Sequence, residues 1–208
     1  MEKEIGFLAI IALLAYLVGS FPTGYLIVRR FARKNILEWG TGNVGTLNPL
    51  RATNSKLLTL ATLCGDVLKG IVALFLGIAI SRAGGLETGL GAAVGGIMAV
   101  VGHNYTVFLK FQGGKGIATS LPVLLYFAPP LVVLWLAVFF VTVAVTRLLV
   151  LGQILGTVAV PIVGYLLLPD PIVPVSILAL LVFVRHASRI RNIVRGTEPK
   201  FYYKLSKP

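Results

Sequence analysis

The stretch Ile5–Val28, IGFLAIIALLAYLVGSFPTGYLIV, carries no charged residue along its whole length. About 20 apolar residues cross the hydrocarbon core of a bilayer, so this stretch reads as a membrane span. A secretory signal peptide has a similar outline. Here, however, the leading Met-Glu-Lys-Glu is not net positive, and apolar character resumes after Pro22 until Arg29-Arg30. Gly19-Ser20-Phe21-Pro22-Thr23-Gly24 places a kink near the far end of the span.

The rest of the chain has the same character. Of 208 residues, 57% are hydrophobic and 12% charged, with a mean hydropathy of +0.91. A soluble domain carries about 25% charged residues, so this chain is an integral membrane protein. On the same length ruler the further spans are Leu57–Ile80, Leu86–Val101, 117–128, 131–146, Leu148–Leu168 and Ile172–Val184, with Pro129-Pro130 dividing the fourth from the fifth. The expected architecture is an all-α bundle of about seven transmembrane helices forming one domain over 1–208. The Gly/Ala-rich third span suits close helix packing in lipid.

The net charge of +12 invites a nucleic-acid reading, but the basic residues lie between and after apolar runs, with no aromatic-interleaved basic face. Topology accounts for them instead. With the N-terminus outside, Arg29, Arg30, Arg33, Lys34, Arg51, Lys56, Lys110, Lys115, Arg147 and the tail from Arg185 to Lys207 all fall inside, and only Lys3 and Arg82 fall outside. This asymmetry predicts an outer N-terminus and a cytoplasmic C-terminus. Cys64, inside an apolar run, reads as a small core residue. His103 and His186 lack a companion Cys or Glu at ligand spacing, so neither a metal nor a cofactor is expected.

Two glycine-rich loops then share the inner face. In Gly113-Gly114-Lys115-Gly116 the missing Cβ atoms let backbone N–H groups approach an anion, Lys115 adds a point charge, and the helix expected from Ile117 adds its N-terminal partial charge, with Thr119 in its first turn. That is a phosphate cradle. It is not a Walker A loop, because Leu109 and Gly116 stand where that pattern needs Gly and a hydroxyl. A flexible turn with a snorkelling lysine is the plainer alternative. The other loop holds Gly40, Thr41, Gly42, Asn43, Gly45 and Asn48 as turn and hydrogen-bonding residues, and Arg51 as a planar fork for phosphate. Its formal dinucleotide-binding glycine pattern has no βαβ unit around it.

Asp66 and Lys69, three residues apart, share one face of the second span roughly 15 Å from its inner end, as ligand contacts or as a bracing ion pair. His103 and His186 each sit where a span meets the surface, and His186 can donate to phosphate or shuttle a proton. Glu198 can hold the tail against the basic cluster.

Taken together, these residues resemble the bacterial acyl-phosphate-dependent glycerol-3-phosphate acyltransferases. The likeness rests on Gly19-Ser20-Phe21-Pro22, Gly40 to Gly45 with Asn48 and Arg51, Asp66-Val67-Leu68-Lys69-Gly70, Gly102-His103 through Phe108, Gly113 to Thr119, and Arg185-His186 with Gly196-Thr197-Glu198. The resemblance implies seven helices in the bacterial cytoplasmic membrane with the active site at the cytoplasmic face. It implies transfer of an acyl group from acyl phosphate to the 1-hydroxyl of glycerol 3-phosphate, giving lysophosphatidic acid and phosphate, and a functional link to an enzyme that makes acyl phosphate. His186, Lys115 and Arg51 would be catalytic. Ser20, Thr41, Gly42, Asn43, Asn48, Asp66, Lys69, His103, Gly113, Gly114, Gly116, Thr119, Arg189 and Glu198 would bind substrate.

The family's usual Ser, Thr, Pro and Asn are replaced here by Thr41, Leu47, Thr106 and Arg189, and its serine-containing segment by Val150 to Gln153. A non-catalytic or acceptor-altered paralogue is one alternative. A small anion transporter is another, which predicts ionisable groups in both membrane halves and an internal repeat. The sequence holds neither feature.

Overall fold

The structure, a computed structural model, describes residues 2–40 and 42–200. These residues form nine α-helices and two short 3-10 turns: α1 (Glu2–Ser20), α2 (Thr23–Ala32), α3 (Leu47–Thr53), α4 (Lys56–Ala83), α5 (Thr88–Asn104), α6 (Ile117–Phe127), α7 (Pro129–Thr146), α8 (Leu149–Leu167) and α9 (Ile172–Val194). Among the described residues, six segments are long and apolar enough to cross a membrane, the first being Glu2–Ala32, which holds α1 and α2. Large apolar side chains such as Leu57, Phe75, Val145 and Leu166 are exposed along these helices, as lipid-facing residues are.

The expected kink is a complete break. Pro22 cannot donate to the α1 ladder, so α1 ends at Ser20 and α2 starts anew at Thr23. The short span expected at 117–128 is the eleven-residue α6. The last span runs ten residues past the predicted Val184, to Val194, so Arg185 to Arg191 lie on a continuing helix. Cys64 corrects the sequence reading. It is exposed on α4, because the buried face of that helix is set by Thr62, Asp66, Lys69, Gly70 and Ala73.

The chain divides into two compact units, residues 1–123 and 124–208. In the first, α1, α4 and α5 pack through small residues, and Ala15, Ala73 and Ala99 form a buried cluster. A Cβ placed on Gly19 would lie 2.1 Å from the Ala99 carbonyl oxygen, and one on Gly95 2.4 Å from that of Ala73. Backbones this close leave no room for any other residue, and in lipid such contact carries the packing. The loop after α2 has its own core of Val28, Ile36, Val44 and Ala52. In the second unit α7, α8 and α9 pack around Ala128, Leu131, Val160 and Val175.

Candidate functional site

In the first unit the break at Phe21-Pro22 is the origin of the polar constellation. It leaves helix-end carbonyls without intrahelical donors. Lys69 on α4 donates its Nζ to the Phe21 carbonyl at 3.2 Å, and Thr106 donates its hydroxyl to the Ser20 carbonyl at 2.5 Å. Lys69 also lies 2.9 Å from Asp66 Oδ1, and His103 Nδ1 lies 3.5 Å from the same oxygen. Asp66, His103 and Lys69 are exposed by only 1%, 3% and 7%. A buried ion pair with a histidine on the same carboxylate is a scaffold that costs a great deal to leave half-made.

The glycine loop is built on that scaffold. Gly114 N–H donates to the His103 carbonyl at 2.9 Å. A Cβ on Gly114 would stand 2.0 Å from His103 Nε2, and one on Gly113 2.2 Å from the His103 carbonyl oxygen. Both glycines are therefore required by close approach, and Gly116 by a φ of +85°. Lys115 is half-buried between them, and α6 starts at Ile117 as the sequence predicts. Thr119 is buried, with its carbonyl against Gly70 of α4. Ser20 Oγ, Asp66 Oδ2 and Thr119 Oγ1 are buried without a hydrogen-bond partner among the described residues.

The first loop is held from inside by Asn48. The two N–H groups of its Nδ2 are shared among the carbonyls of Ile36 (3.0 Å), Trp39 (2.9 Å) and Asn43 (2.7 Å), and Asn43 Oδ1 accepts from Gly45 N–H at 3.1 Å. Gly40 and Gly42 turn through positive φ, and the stem of Arg51, in the last turn of α3, packs against the Gly40 turn. A Cβ on Gly45 would lie 3.9 Å from Gly114 Cα, so the two glycine loops abut. Thr41, and the tail lysines 204 and 207, lie outside the described residues.

In the second unit His186, 1% exposed on α9, has Nδ1 2.7 Å from the Val182 carbonyl and Nε2 3.1 Å from the Gln153 side chain on α8. One turn further, Arg189 grips Glu198 with both arms, Nε at 3.0 Å and Nη2 at 2.9 Å. The chain turns back at Gly196, φ +68°, where Thr197 and Glu198 N–H groups cap the Asn192 carbonyl. Arg189 therefore brings no unbalanced charge. The expectation that Glu198 holds the tail against the basic cluster is met by this pair.

Sequence reasoning missed Thr106 and Gln153 as structural partners. The Thr106 hydroxyl is called for only because a carbonyl faces it from 86 residues away, which no local pattern encodes. Gln153 stood out only as part of a segment.

The family described as glycerol-3-phosphate acyltransferase matches residues 9–196. Relatives of that name include one from Syntrophotalea carbinolica, 37% identical over 92% of this chain and 96% of its own, and one from Synechococcus elongatus, 40% identical over 94% and 95%. Among solved structures, PlsY (YgiH), an integral membrane glycerol 3-phosphate acyltransferase, matches in its glycerol 3-phosphate form with a TM-score of 0.78 and 26% identity over 93% of this chain and 95% of that one. Its lysophosphatidic acid form matches with a TM-score of 0.77 and 25% identity.

Proposed function

The chain belongs to the glycerol-3-phosphate acyltransferase family, and from that premise we propose that it moves a fatty acyl group from acyl phosphate to the 1-hydroxyl of glycerol 3-phosphate, releasing lysophosphatidic acid and phosphate. The observation that carries the reading is the abutment of two glycine-built loops, one bearing Arg51 and the other Lys115. Both proposed substrates are phosphorylated, so a chain using them needs two anion-binding elements in one place.

The hydroxyl oxygen attacks the acyl carbonyl carbon, the carbon–oxygen bond to phosphate breaks, and the hydroxyl proton leaves on a phosphate oxygen. Acyl phosphate is already activated, so holding the hydroxyl near its carbonyl supplies much of the rate and no protein nucleophile is needed. Lys115 and the Gly113–Gly116 backbone neutralise one phosphate, Arg51 grips the other bidentately, and Thr41 and Asn43 hydrogen-bond to the substrates. Asp66, Lys69 and His103 act from below, by fixing the Gly114 turn, and Asn48 does the same for the first loop. We place the N-terminus outside and this chemistry at the cytoplasmic face of the bacterial inner membrane, where an acyl-phosphate-forming enzyme must supply the donor.

The test is acyl transfer by purified protein in lipid, given palmitoyl phosphate and glycerol 3-phosphate. Lysophosphatidic acid and phosphate in equal amounts, dependent on both substrates and abolished in Lys115→Ala and Arg51→Ala, is the expected result. Folded wild-type protein that forms neither product overturns the reaction, and wild-type rates in both variants overturn the site.

A further inference from the structure

α9 outruns the apolar part of its own sequence. The rise from Ile172 to Arg191 is about 29 Å, close to the roughly 30 Å of a bilayer's hydrocarbon core, so the last turn stands at the depth of the lipid headgroups. The outward face of the helix is continuous. Val173, Ile177, Leu180 and Val184 are exposed at helical spacing and form one stripe. Seven residues after Val184 the same stripe reaches the exposed Arg191, and it ends on Val194, 81% exposed, and the C-cap residue Arg195. A face that meets acyl chains for about three turns therefore ends in two arginines.

Nothing in the second unit answers their charge. From residue 124 onward the sequence has Asp170 and Glu198 as its acids. Asp170 precedes the opposite end of α9, and Glu198 is gripped by Arg189, which lies two residues before Arg191 and so on the other side of the helix. Among the described residues neither Arg191 nor Arg195 has an ion-pair partner. Helix capping does not need their side chains either: the carbonyls of Arg191, Asn192 and Ile193 already accept main-chain N–H groups from Arg195, Gly196, Thr197 and Glu198. The charge asymmetry of the chain accounts for their sign but not for their sharing one face.

We propose that Arg191 and Arg195 hold the headgroup phosphate of an anionic membrane phospholipid, with Val194 against its glycerol and upper acyl chain. Residues four apart on a helix are neighbours, about 5–6 Å between Cβ atoms, so two guanidinium forks can close on one phosphate. Val194 selects a lipid over free phosphate, because only a lipid brings apolar surface to cover it. A zwitterionic headgroup would set its own ammonium group among the arginines, so the site takes lipids of net negative charge. The bound lipid pins the end of α9 at the membrane surface, next to the point where the Arg189–Glu198 clasp turns the chain back. No residue proposed for acyl transfer takes part in it.

The experiment places the full chain in nanodiscs of equal parts phosphatidylglycerol and phosphatidylcholine with matched acyl chains, and counts by native mass spectrometry the lipids that stay bound. Wild type is expected to retain phosphatidylglycerol in preference, less so as salt is raised. Arg191→Gln and Arg195→Gln should each lower that preference about fivefold, and the double variant about 25-fold. Lys3→Gln with Arg82→Gln removes the same charge from the first unit and should change it by less than about twofold. Thermal unfolding gives a second readout: phosphatidylglycerol should raise the midpoint of wild type and not that of the double variant, while the two unfold together in phosphatidylcholine alone. A wild type that retains both lipids equally overturns the proposal, as does a double variant with wild-type preference. An equal loss in the Lys3 and Arg82 variant overturns it in favour of diffuse net charge. Inorganic phosphate that displaces the lipid better than chloride of the same ionic strength overturns the assignment to a lipid.

Discussion

The two units hold their polar groups in different ways. In residues 1–123 the glycine loop is placed by close approach: a methyl group on Gly113 would meet the His103 and Asn104 carbonyl oxygens, and one on Gly114 the His103 ring. In residues 124–208 the placement is made by side-chain pairs, His186 with Gln153 and Arg189 with Glu198. Backbone contact tolerates no substitution, since neither partner can move without moving a helix. A side-chain pair can be exchanged for another of matching chemistry. The difference teaches where this chain can depart from its relatives: the glycine loop is kept whole, whereas Arg189 stands where the resemblance predicts Asn, with Glu198 answering its charge.

The strongest way to break this comparison is to add one carbon to each unit. Gly114→Ala places a methyl group 2.0 Å from His103 Nε2, and the ring is buried, with its other nitrogen 3.5 Å from Asp66 Oδ1. The loop must lift, and acyl transfer should fall by about a hundredfold or more, because misplacement by an ångström is worth about that much. Retained activity in this variant would mean that the loop is not the anion cradle.

Next in size is the scaffold itself. Asp66→Ala strands Lys69 in a site where it is 7% exposed, and removing one partner of a buried pair costs about 3–5 kcal/mol. Unfolding in detergent should show that loss. Asp66→Ala combined with Lys69→Met should recover part of it, although the Phe21 carbonyl then loses its donor. A single variant as stable as wild type would show that water reaches the pair.

How much of this was legible follows from the range of each interaction. The spans were readable because a bilayer imposes length and hydropathy on contiguous residues, and the start of α6 because Gly116 punctuates it. The glycine loops were readable as tight turns from composition alone, and Gly40, Gly42 and Gly116 do turn through positive φ. Their support was not readable. Asp66 and Lys69 could be paired by their three-residue spacing, yet nothing local says that His103 joins them or that Lys69 also caps Phe21. Cys64 was misplaced because an apolar run does not reveal which face of a membrane helix meets lipid and which meets protein. The extension of α9 to Val194 was hidden by its arginines, which end a hydropathy run without ending a helix.

In the second unit, Arg189→Ala should cost about 1–2 kcal/mol, the price of leaving the Glu198 carboxylate, 6% exposed, without its donor. Arg189 is itself about one-fifth exposed, so solvent moderates the loss. Arg189→Gln, which can still donate, should restore part of it. Acyl transfer in both is expected to remain within about tenfold of wild type, because His186 keeps its own contacts to Val182 and Gln153. A loss comparable to that of Gly114→Ala would erase the proposed difference between the units.

The smallest effect sharpens the comparison most. Gly196→Ala adds the same methyl group as Gly114→Ala, but nothing lies within 4 Å of the new carbon. What remains is the left-handed backbone, φ +68°, which costs an alanine about 1 kcal/mol. Part of that is offset, since alanine also restricts the unfolded chain. The turn is held from both sides, by the Asn192 carbonyl accepting from Thr197 and Glu198 and by the Arg189 fork on Glu198. The strain should therefore be absorbed locally, with acyl transfer changed by less than about threefold and a stability loss of about 1 kcal/mol or less in detergent unfolding. If Gly196→Ala instead disables the protein as Gly114→Ala does, the tail is not a replaceable clasp. Its backbone would then be as exacting as the glycine loop, and the contrast between that loop and the side-chain clasp of the tail would fail.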